Sequence, residues 1–145
     1  MFYICAIILA LPAILIRFLR NIWYVMHIAL TLGITFYLQR EMGFHDNDTN
    51  ILVYFFVIHY VLINIMTFLL YIYDKNQAKK QKWRIPEKTL HAFSLIGGTF
   101  AAFYARKKLR HKTRKTSFIR DFWLVIIVQI VIITLVIYFL GEYNI

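Results

Sequence analysis

The sequence predicts an all-helical integral membrane protein with four transmembrane helices and a short re-entrant or interfacial helix that carries a glycine pair. Three observations predict this fold class. Hydrophobic residues make up 61% of the 145-residue chain, which is more than a soluble domain of this length can bury. They are gathered in long runs, and the charged residues lie between the runs. Basic residues outnumber acidic ones by 17 to 7, a balance that suits a surface of anionic headgroups.

Four of the apolar runs are long enough to cross a bilayer, for which a helix needs about 20 residues. They lie at about 2–18, 22–39, 51–73 and 122–140. The first run has no basic residue ahead of its apolar core, so we interpret it as a retained helix and not as a cleaved signal peptide. No linker or repeat divides the chain. We therefore predict a single membrane domain over 1–145, in which 1–50 form an N-terminal helical hairpin.

A fifth apolar segment, 89–105, is shorter and more polar than the others. At 1.5 Å per residue a straight helix there is about 25 Å long, against roughly 30 Å of hydrocarbon. Its path matters because Lys and Arg in short loops are retained on the cytoplasmic side. If the segment crosses, the basic residues divide almost evenly; if it enters and leaves by one face, 16 of the 17 share one side. We therefore predict a re-entrant or interfacial element, with both termini outside the cytoplasm.

Gly97 and Gly98 lie at the centre of this segment, and two roles are open for them. They could form a turn at membrane depth, where glycine tolerates unusual backbone angles. Alternatively, Gly98 belongs to a stripe of small residues that lets another helix approach closely. In either case a bulky residue at Gly98 should damage assembly. Upstream, Pro86 suits the first turn of a helix, so we expect a helix to begin near it. The stripe consists of Ser94, Gly98, Ala101 or Ala102, and Ala105.

Several short motifs follow one another in the second half of the chain. They are the DK pair Asp74 and Lys75, the RIPE run at 84–87 with LH shortly after it, the glycine pair, and RHKT at 110–113. With these motifs the stretch 71–118, about a third of the chain, resembles an uncharacterised bacterial membrane protein family, domain of unknown function 1294 (DUF1294). We assign 51–145 to the family-like region. The resemblance implies a small multi-helix membrane protein and no particular reaction, and we expect it in the bacterial cytoplasmic (inner) membrane.

On the one-sided topology, a group of charged residues and histidines converges at the cytoplasmic end of the helices. Arg offers a planar fork, Lys a point charge and His a titratable group, so the group could bind anionic lipid headgroups or a phosphate-bearing ligand. The structural alternative is that Asp74 and Glu87 pair with Arg84 and Arg110 to lock the loops. The predicted site consists of Asp74, Lys75, Arg84, Glu87, His91, Arg110, His111 and Lys112.

Polar residues also lie inside the apolar runs, on one face of each helix. In the second helix His27 and Thr31 begin a series with a spacing of four residues, and in the third helix Asn64 and Thr67 lie on a polar face. Such side chains should face protein and not lipid. They would either line the polar groove or proton path of a small transporter or channel subunit, or form hydrogen bonds between helices.

The motifs of known enzymes and metal sites are missing from the sequence, which has no nucleotide-binding loop, no HExxH helix and a single cysteine, Cys5. We therefore expect no cofactor and no metal, leave catalytic residues unassigned and favour a role other than catalysis. A residual hypothesis is general acid–base catalysis by His111 or Glu87 on a lipid phosphate that Arg84 and Arg110 bind. The expected partners are membrane lipids, with no nucleic acid. A homodimer or a larger membrane complex, in which the chain is an assembly partner, is the remaining alternative.

Overall fold

The computed structural model describes residues 2–15, 21–42, 50–110 and 115–142, and within those residues all regular structure is helical. The prediction of an all-helical chain is therefore confirmed for this part of the sequence. The elements in chain order are α1 (Phe2–Leu15), α2 (Ile22–Met42), α3 (Asn50–Lys79), α4 (Glu87–Phe93), a π-helical turn (Ser94–Gly98), α5 (Thr99–Leu109) and α6 (Thr116–Glu142).

Three of the described helices are long and apolar enough to cross a membrane. The qualifying stretches are Ile22–Glu41 in α2, Ile51–Lys79 in α3 and Thr116–Leu135 in α6. They coincide with three of the four predicted runs and indicate a multi-pass membrane protein. The described part of α1 has 14 residues, so a fourth crossing stays a prediction.

The helix α2 packs antiparallel to α3. Near the start of α2, the ring of Trp23 lies 5.6 Å from that of Tyr73, which is close to the end of α3. Near the end of α2, Leu38 and Gln39 line a small space together with Ile51 from the start of α3. The pair is therefore in contact over most of its length, and α3 is central to the remaining elements as well.

Two apolar clusters hold the helices together. The smaller one lies between α1, α2 and α3, where the side chains of Cys5 and Phe55 are fully buried. The larger one joins α2 and α3 to the later elements, and aromatic rings supply much of its volume. Its large, fully buried members are Tyr24, Ile63, Leu70, Tyr71, Leu90, Phe93, Phe118 and Phe122.

The segment 87–109 folds as a helical hairpin against α3. Both of its ends lie beside the C-terminal end of α3: Ile85 N–H donates to Asp74 at 3.1 Å, and Lys75 Nζ donates to the Leu109 carbonyl at 2.7 Å. The middle of the hairpin lies further back along α3, where Asn64 contacts the turn. Asn64 and Asp74 are ten residues apart in α3, which corresponds to roughly 15 Å of helix. The hairpin therefore runs about that distance along α3 and returns to the same end.

Gly97 reverses the direction of the chain. Its φ of 126° lies in a region that only glycine occupies readily, and it interrupts the π-helical turn. Its neighbour Gly98 lies against α3, where an added Cβ would clash with the Thr67 side chain and come within 2.7 Å of the Phe93 carbonyl. The turn is therefore at Gly97 and the close approach to α3 is at Gly98, while the depth of the turn in a membrane stays a prediction. The remaining small residues of the stripe, Ser94, Ala101, Ala102 and Ala105, are all buried.

The helix α4 begins as the sequence predicts, with Pro86 as its N-cap and Glu87 as its first residue. The missing N–H of proline costs nothing at this position, and a carboxylate there is favoured by the helix dipole. The helix is short because the turn at Gly97 follows so closely. Its inward side is nevertheless well packed, since Leu90 and Phe93 are completely buried.

The helix α6 starts beside the open end of the hairpin, runs along it and continues beyond its tip. Past the tip, α3 and α6 border an open groove of about 920 Å³. Most of its lining is apolar, with His59, Thr99 and Gln129 as the principal polar side chains. Most of the described side chains of α6 beyond the hairpin, such as Ile130 and Ile133, are exposed on the surface of the chain.

Candidate functional site

Both ends of the hairpin, the C-terminal end of α3 and the start of α6 share one end of the bundle, which we call the basic end. Six of the eight predicted site residues lie in the described part of the chain, and His111 and Lys112 lie outside it. The contacts that these six make with other described residues fall into local groups, which are described in turn.

Asp74 and Arg84 form an ion pair at the end of α3. The Asp74 side chain is 0% exposed; it accepts from Arg84 Nη2 at 3.2 Å and from the Ile85 N–H at 3.1 Å. Arg84 remains 46% exposed. Because one carboxylate holds both a side chain and the backbone of the next loop, it fixes the entry to α4 on α3. This is the structural alternative that the sequence suggested for these two residues.

Glu87 binds a partner that the sequence analysis did not name. Lys115 Nζ donates to both of its carboxylate oxygens, at 2.8 and 2.9 Å. The pair connects the first residue of α4 to the residue just before α6, and so holds the starts of these two helices together at the basic end. Lys115 belongs to a long basic run, and the sequence alone does not indicate which cation of that run pairs with Glu87.

Lys75, Arg110 and His91 have different surroundings. Lys75 donates to the Leu109 carbonyl, one of the C-terminal carbonyls of α5 that have no partner within the helix. Arg110 follows in a left-handed conformation with φ 48° and has an exposed side chain. His91 is half-buried and its ring lies 4.2 Å from that of Phe118. Lys75 thus bonds the end of α5 to α3, His91 packs against α6, and Arg110 faces the surface.

The surface of the basic end is rich in exposed cations. Trp83 projects among them with 70% of its surface exposed. Such a ring is typical of the membrane interface. The carboxylates of Asp74, Glu87 and Asp121 are each bonded to a basic side chain, so they offset little of the remaining positive charge. Among the described residues of this end, the exposed cations are Lys79, Lys80, Lys82, Arg84, Lys88, Lys107, Lys108, Arg110, Lys115 and Arg120.

Arg106 is a cation of a different kind, and the sequence analysis missed it. Its guanidinium lies over the rings of Phe122 and Phe118, at 4.5 and 5.5 Å from their centroids. Within the described residues its Nε is buried and has no hydrogen-bond partner. Burial lowers the pKa of the Arg106 guanidinium from its ordinary value. A guanidinium nevertheless stays protonated in proteins, so the charge persists there.

A second polar group surrounds the turn of the hairpin. At the broken helix, side chains from α3 and α6 lie within hydrogen-bonding distance of the carbonyls of residues 94–97. Gln129 Nε2 donates to Ser94 O and Leu95 O at 2.9 and 2.8 Å. His59 Nε2 lies 3.1 Å from Ile96 O. Asn64 Nδ2 donates to Gly97 O at 3.1 Å.

These bonds explain why polar residues interrupt apolar helices. Backbone carbonyls in an apolar environment must be paired within the protein, because no water is available to them. Asn64 also accepts from the Ala101 N–H at 3.0 Å, which serves the start of α5. His59 and Gln129 were not predicted as members of this group. Their signal in the sequence was the isolated polar residue within a long apolar run.

The predicted polar faces make contacts between helices or within one helix. His27 Nε2 lies 3.0 Å from His59 Nδ1. A carbonyl can only accept, so His59 carries its proton on Nε2 and His27 donates to Nδ1. Thr67 donates to its own helix at Ile63 O, and Thr31 is buried in α2. Among the residues that the structure describes, no group of three or more His, Cys, Asp or Glu could hold a metal ion.

Comparison with known proteins places these features in a family. The family model described as "Protein of unknown function (DUF1294)" matches residues 64–118. The uncharacterized protein YsdA of Bacillus subtilis is 31% identical over 75 residues, which cover 52% of this chain and 84% of YsdA. No solved structure matches the chain. The family segment starts at Asn64 and includes the whole hairpin and the ion pairs Asp74–Arg84 and Glu87–Lys115. The chain therefore belongs to the DUF1294 family.

Proposed function

We propose that this membrane protein binds anionic lipid headgroups at its basic end. The observation that carries the proposal is the position of the exposed cations. The loop after α3 and the last turn of α5 are far apart in sequence, yet both lie at the same end of the bundle, joined there by the bond from Lys75 to Leu109. Each Lys or Arg near an anionic surface contributes about 1 kcal/mol of attraction. Trp83 lies within the same surface and suits the headgroup layer.

The proposal includes a topology. The hairpin α4–α5 enters the bilayer and leaves it by the same face, four helices span, both termini lie outside, and the basic end faces the cytoplasm of a bacterium. Two features support this arrangement: both ends of the hairpin lie beside one end of α3, and the carbonyls of its turn are paired by side chains as an apolar environment requires.

Labelling of single cysteines tests the topology. In a Cys5→Ala background, cysteines are placed at Lys79, Lys108 and Arg40, all of them exposed positions. An impermeant thiol reagent added outside intact cells should label position 40 and leave 79 and 108 unlabelled until the membrane is opened. Labelling of 79 and 108 from opposite sides would overturn the shared basic end.

Lipid retention tests the function. The protein is reconstituted in nanodiscs of phosphatidylcholine with phosphatidylglycerol and is then extracted gently. Native mass spectrometry measures which lipid stays bound to it. Replacing Lys107, Lys108 and Arg110 together by Gln should lower retention of phosphatidylglycerol by at least about tenfold. The control is Arg40→Gln, which removes an exposed charge near the end of α2 and should leave retention unchanged. If the unmodified protein retains both lipids equally, headgroup binding is refuted.

A further inference from the structure

Arg106 is a cation of the basic end whose guanidinium rests on two aromatic rings of α6. Its guanidinium lies on Phe118 and Phe122, and within the described chain it takes part in no ion pair and no hydrogen bond. Two carboxylates of the basic end have other basic partners, Asp74 with Arg84 and Glu87 with Lys115. The positive charge of Arg106 is therefore partly removed from water without a counter-charge among the described residues.

A partly buried guanidinium with no anion beside it among the described residues is energetically unfavourable. Removing a cation from water is unfavourable unless an anion or several acceptors replace the lost hydration. Contact with aromatic rings offsets only part of that cost. The N-terminal end of α6 adds to the positive potential, because Phe118 is its third residue and its first turn contains no acidic residue.

The position of Arg106 matches the headgroup layer of the proposed topology. It lies one helical turn before Leu109, whose carbonyl meets Lys75 at the end of α3. The two rings contact the guanidinium at 4.5 and 5.5 Å and so restrict its position before a ligand binds. A planar guanidinium pairs with phosphate through two parallel hydrogen bonds, which a lysine cannot reproduce.

We propose that Arg106 binds the phosphate group of the ligand at the basic end, with Phe118 and Phe122 as the platform that orients it. This rests on the proposed function and deepens it: the exposed lysines attract an anionic surface, and Arg106 selects a phosphate group. The phosphate belongs either to a lipid headgroup or to a soluble phosphate ester, and both sources offer the same oxygen atoms to the guanidinium.

Chemical protection of Arg106 tests the inference on the unmodified protein. Phenylglyoxal modifies accessible arginines, and peptide mass spectrometry reports the rate at each one. In nanodiscs, phosphatidylglycerol should slow the modification of Arg106 by about tenfold relative to phosphatidylcholine alone, the factor expected for a ligand that binds about 1.4 kcal/mol more tightly. Arg40, near the end of α2, is the internal reference and should react at one rate in both.

A parallel arm identifies the source of the phosphate. Inorganic phosphate is added to the protein in phosphatidylcholine nanodiscs. Protection of Arg106 by phosphatidylglycerol alone assigns the site to a lipid headgroup, and protection by inorganic phosphate assigns it to a soluble ligand. If neither slows the modification of Arg106, the inference is overturned.

Variants separate this inference from the proposed function. Arg106→Gln should lower phosphatidylglycerol retention by about tenfold. Arg106→Lys, which keeps the charge and loses the fork, should recover only part of it. Both should melt like the unmodified protein. If the unmodified protein prefers phosphatidylglycerol and Arg106→Gln retains it equally well, the Arg106 site is refuted and headgroup binding stands. If the unmodified protein shows no preference, headgroup binding itself fails. Should Arg106→Gln not fold, the protection experiment decides alone.

Discussion

Asn64 on α3 and Gly97 at the hairpin turn are joined by a hydrogen bond of 3.1 Å from the amide nitrogen to the carbonyl. The same side chain accepts from Ala101 N–H at 3.0 Å, so one residue of a long apolar helix pairs backbone groups on both sides of the break. Asn64 therefore pairs two of the backbone groups at the break in the hairpin. This relationship leads to the first prediction.

Asn64→Leu should destabilise the protein by about 2 kcal/mol, because two backbone groups lose their partner in apolar surroundings. The measurement is the free energy of unfolding in mixed micelles of increasing denaturing detergent. Thr134→Val is the control: Thr134 donates only to its own helix at Ile130 O and is exposed, so its loss should change little. Equal effects of the two substitutions would contradict the role of Asn64.

Gln129→Leu should loosen α6 from the hairpin. Gln129 donates to Ser94 O and Leu95 O and accepts from Thr99 Oγ1, and beyond this point α6 has exposed side chains. Spin labels at Phe100 and Ile132, both exposed, report the separation of the two elements. Pulsed electron paramagnetic resonance should give a broader distribution of distances between the two labels in the variant. An unchanged distribution would mean that apolar packing alone holds α6.

Gly98→Ala should destabilise the protein by about 1–3 kcal/mol, the usual cost of overpacking a close contact. The added methyl group would meet the Thr67 side chain and the Phe93 carbonyl. Gly33→Ala is a matched control within α2, because a Cβ added there would have nothing within 4 Å of it. Alanine at that position should be neutral or stabilising by up to about 1 kcal/mol. Thermal melting in detergent compares the two variants, and a Gly98 variant as stable as the Gly33 variant would refute the close approach.

Arg84→Ala should cost more than Arg120→Ala, although each removes one ion pair. The Asp74 carboxylate is completely buried, so the Arg84→Ala change takes a bonded cation away from a charge that water does not reach. Arg84 is itself half-exposed, which reduces the expected cost to about 2 kcal/mol. Arg120 and Asp121 are exposed neighbours whose pair should contribute less than about 1 kcal/mol. Detergent unfolding measures both, and similar costs would show that the Asp74 pair behaves as a surface contact.

The sequence predicted those features that follow from hydrophobic length and local backbone chemistry. Three apolar runs became helices long enough to span, and a helix begins at Glu87 directly after Pro86. The pairing of Asp74 with Arg84 was predicted as the structural alternative and occurs. Each of these depends on residues that are close in sequence or on composition over a long window.

Arg106, His59 and Gln129 were harder to assign because their roles depend on tertiary contacts. A basic run such as 106–110 gives no sign of which cation rests on aromatic rings, since those rings belong to α6. An isolated polar residue in an apolar helix indicates a protein-facing side, but its partner is a carbonyl that is exposed only once the hairpin breaks. The sequence pattern therefore located the polar residues without their acceptors.

The groove beyond the hairpin tip has a mechanical consequence. Near the basic end, side chains of the hairpin fill the space between α3 and α6, so their separation is fixed by protein packing. From the level of His59 onward the two helices border a gap of about 920 Å³. If the hairpin enters the bilayer by one face as proposed, acyl chains would fill that gap in the opposite leaflet. There α3 and α6 would then be separated by lipid, and near the basic end by the hairpin.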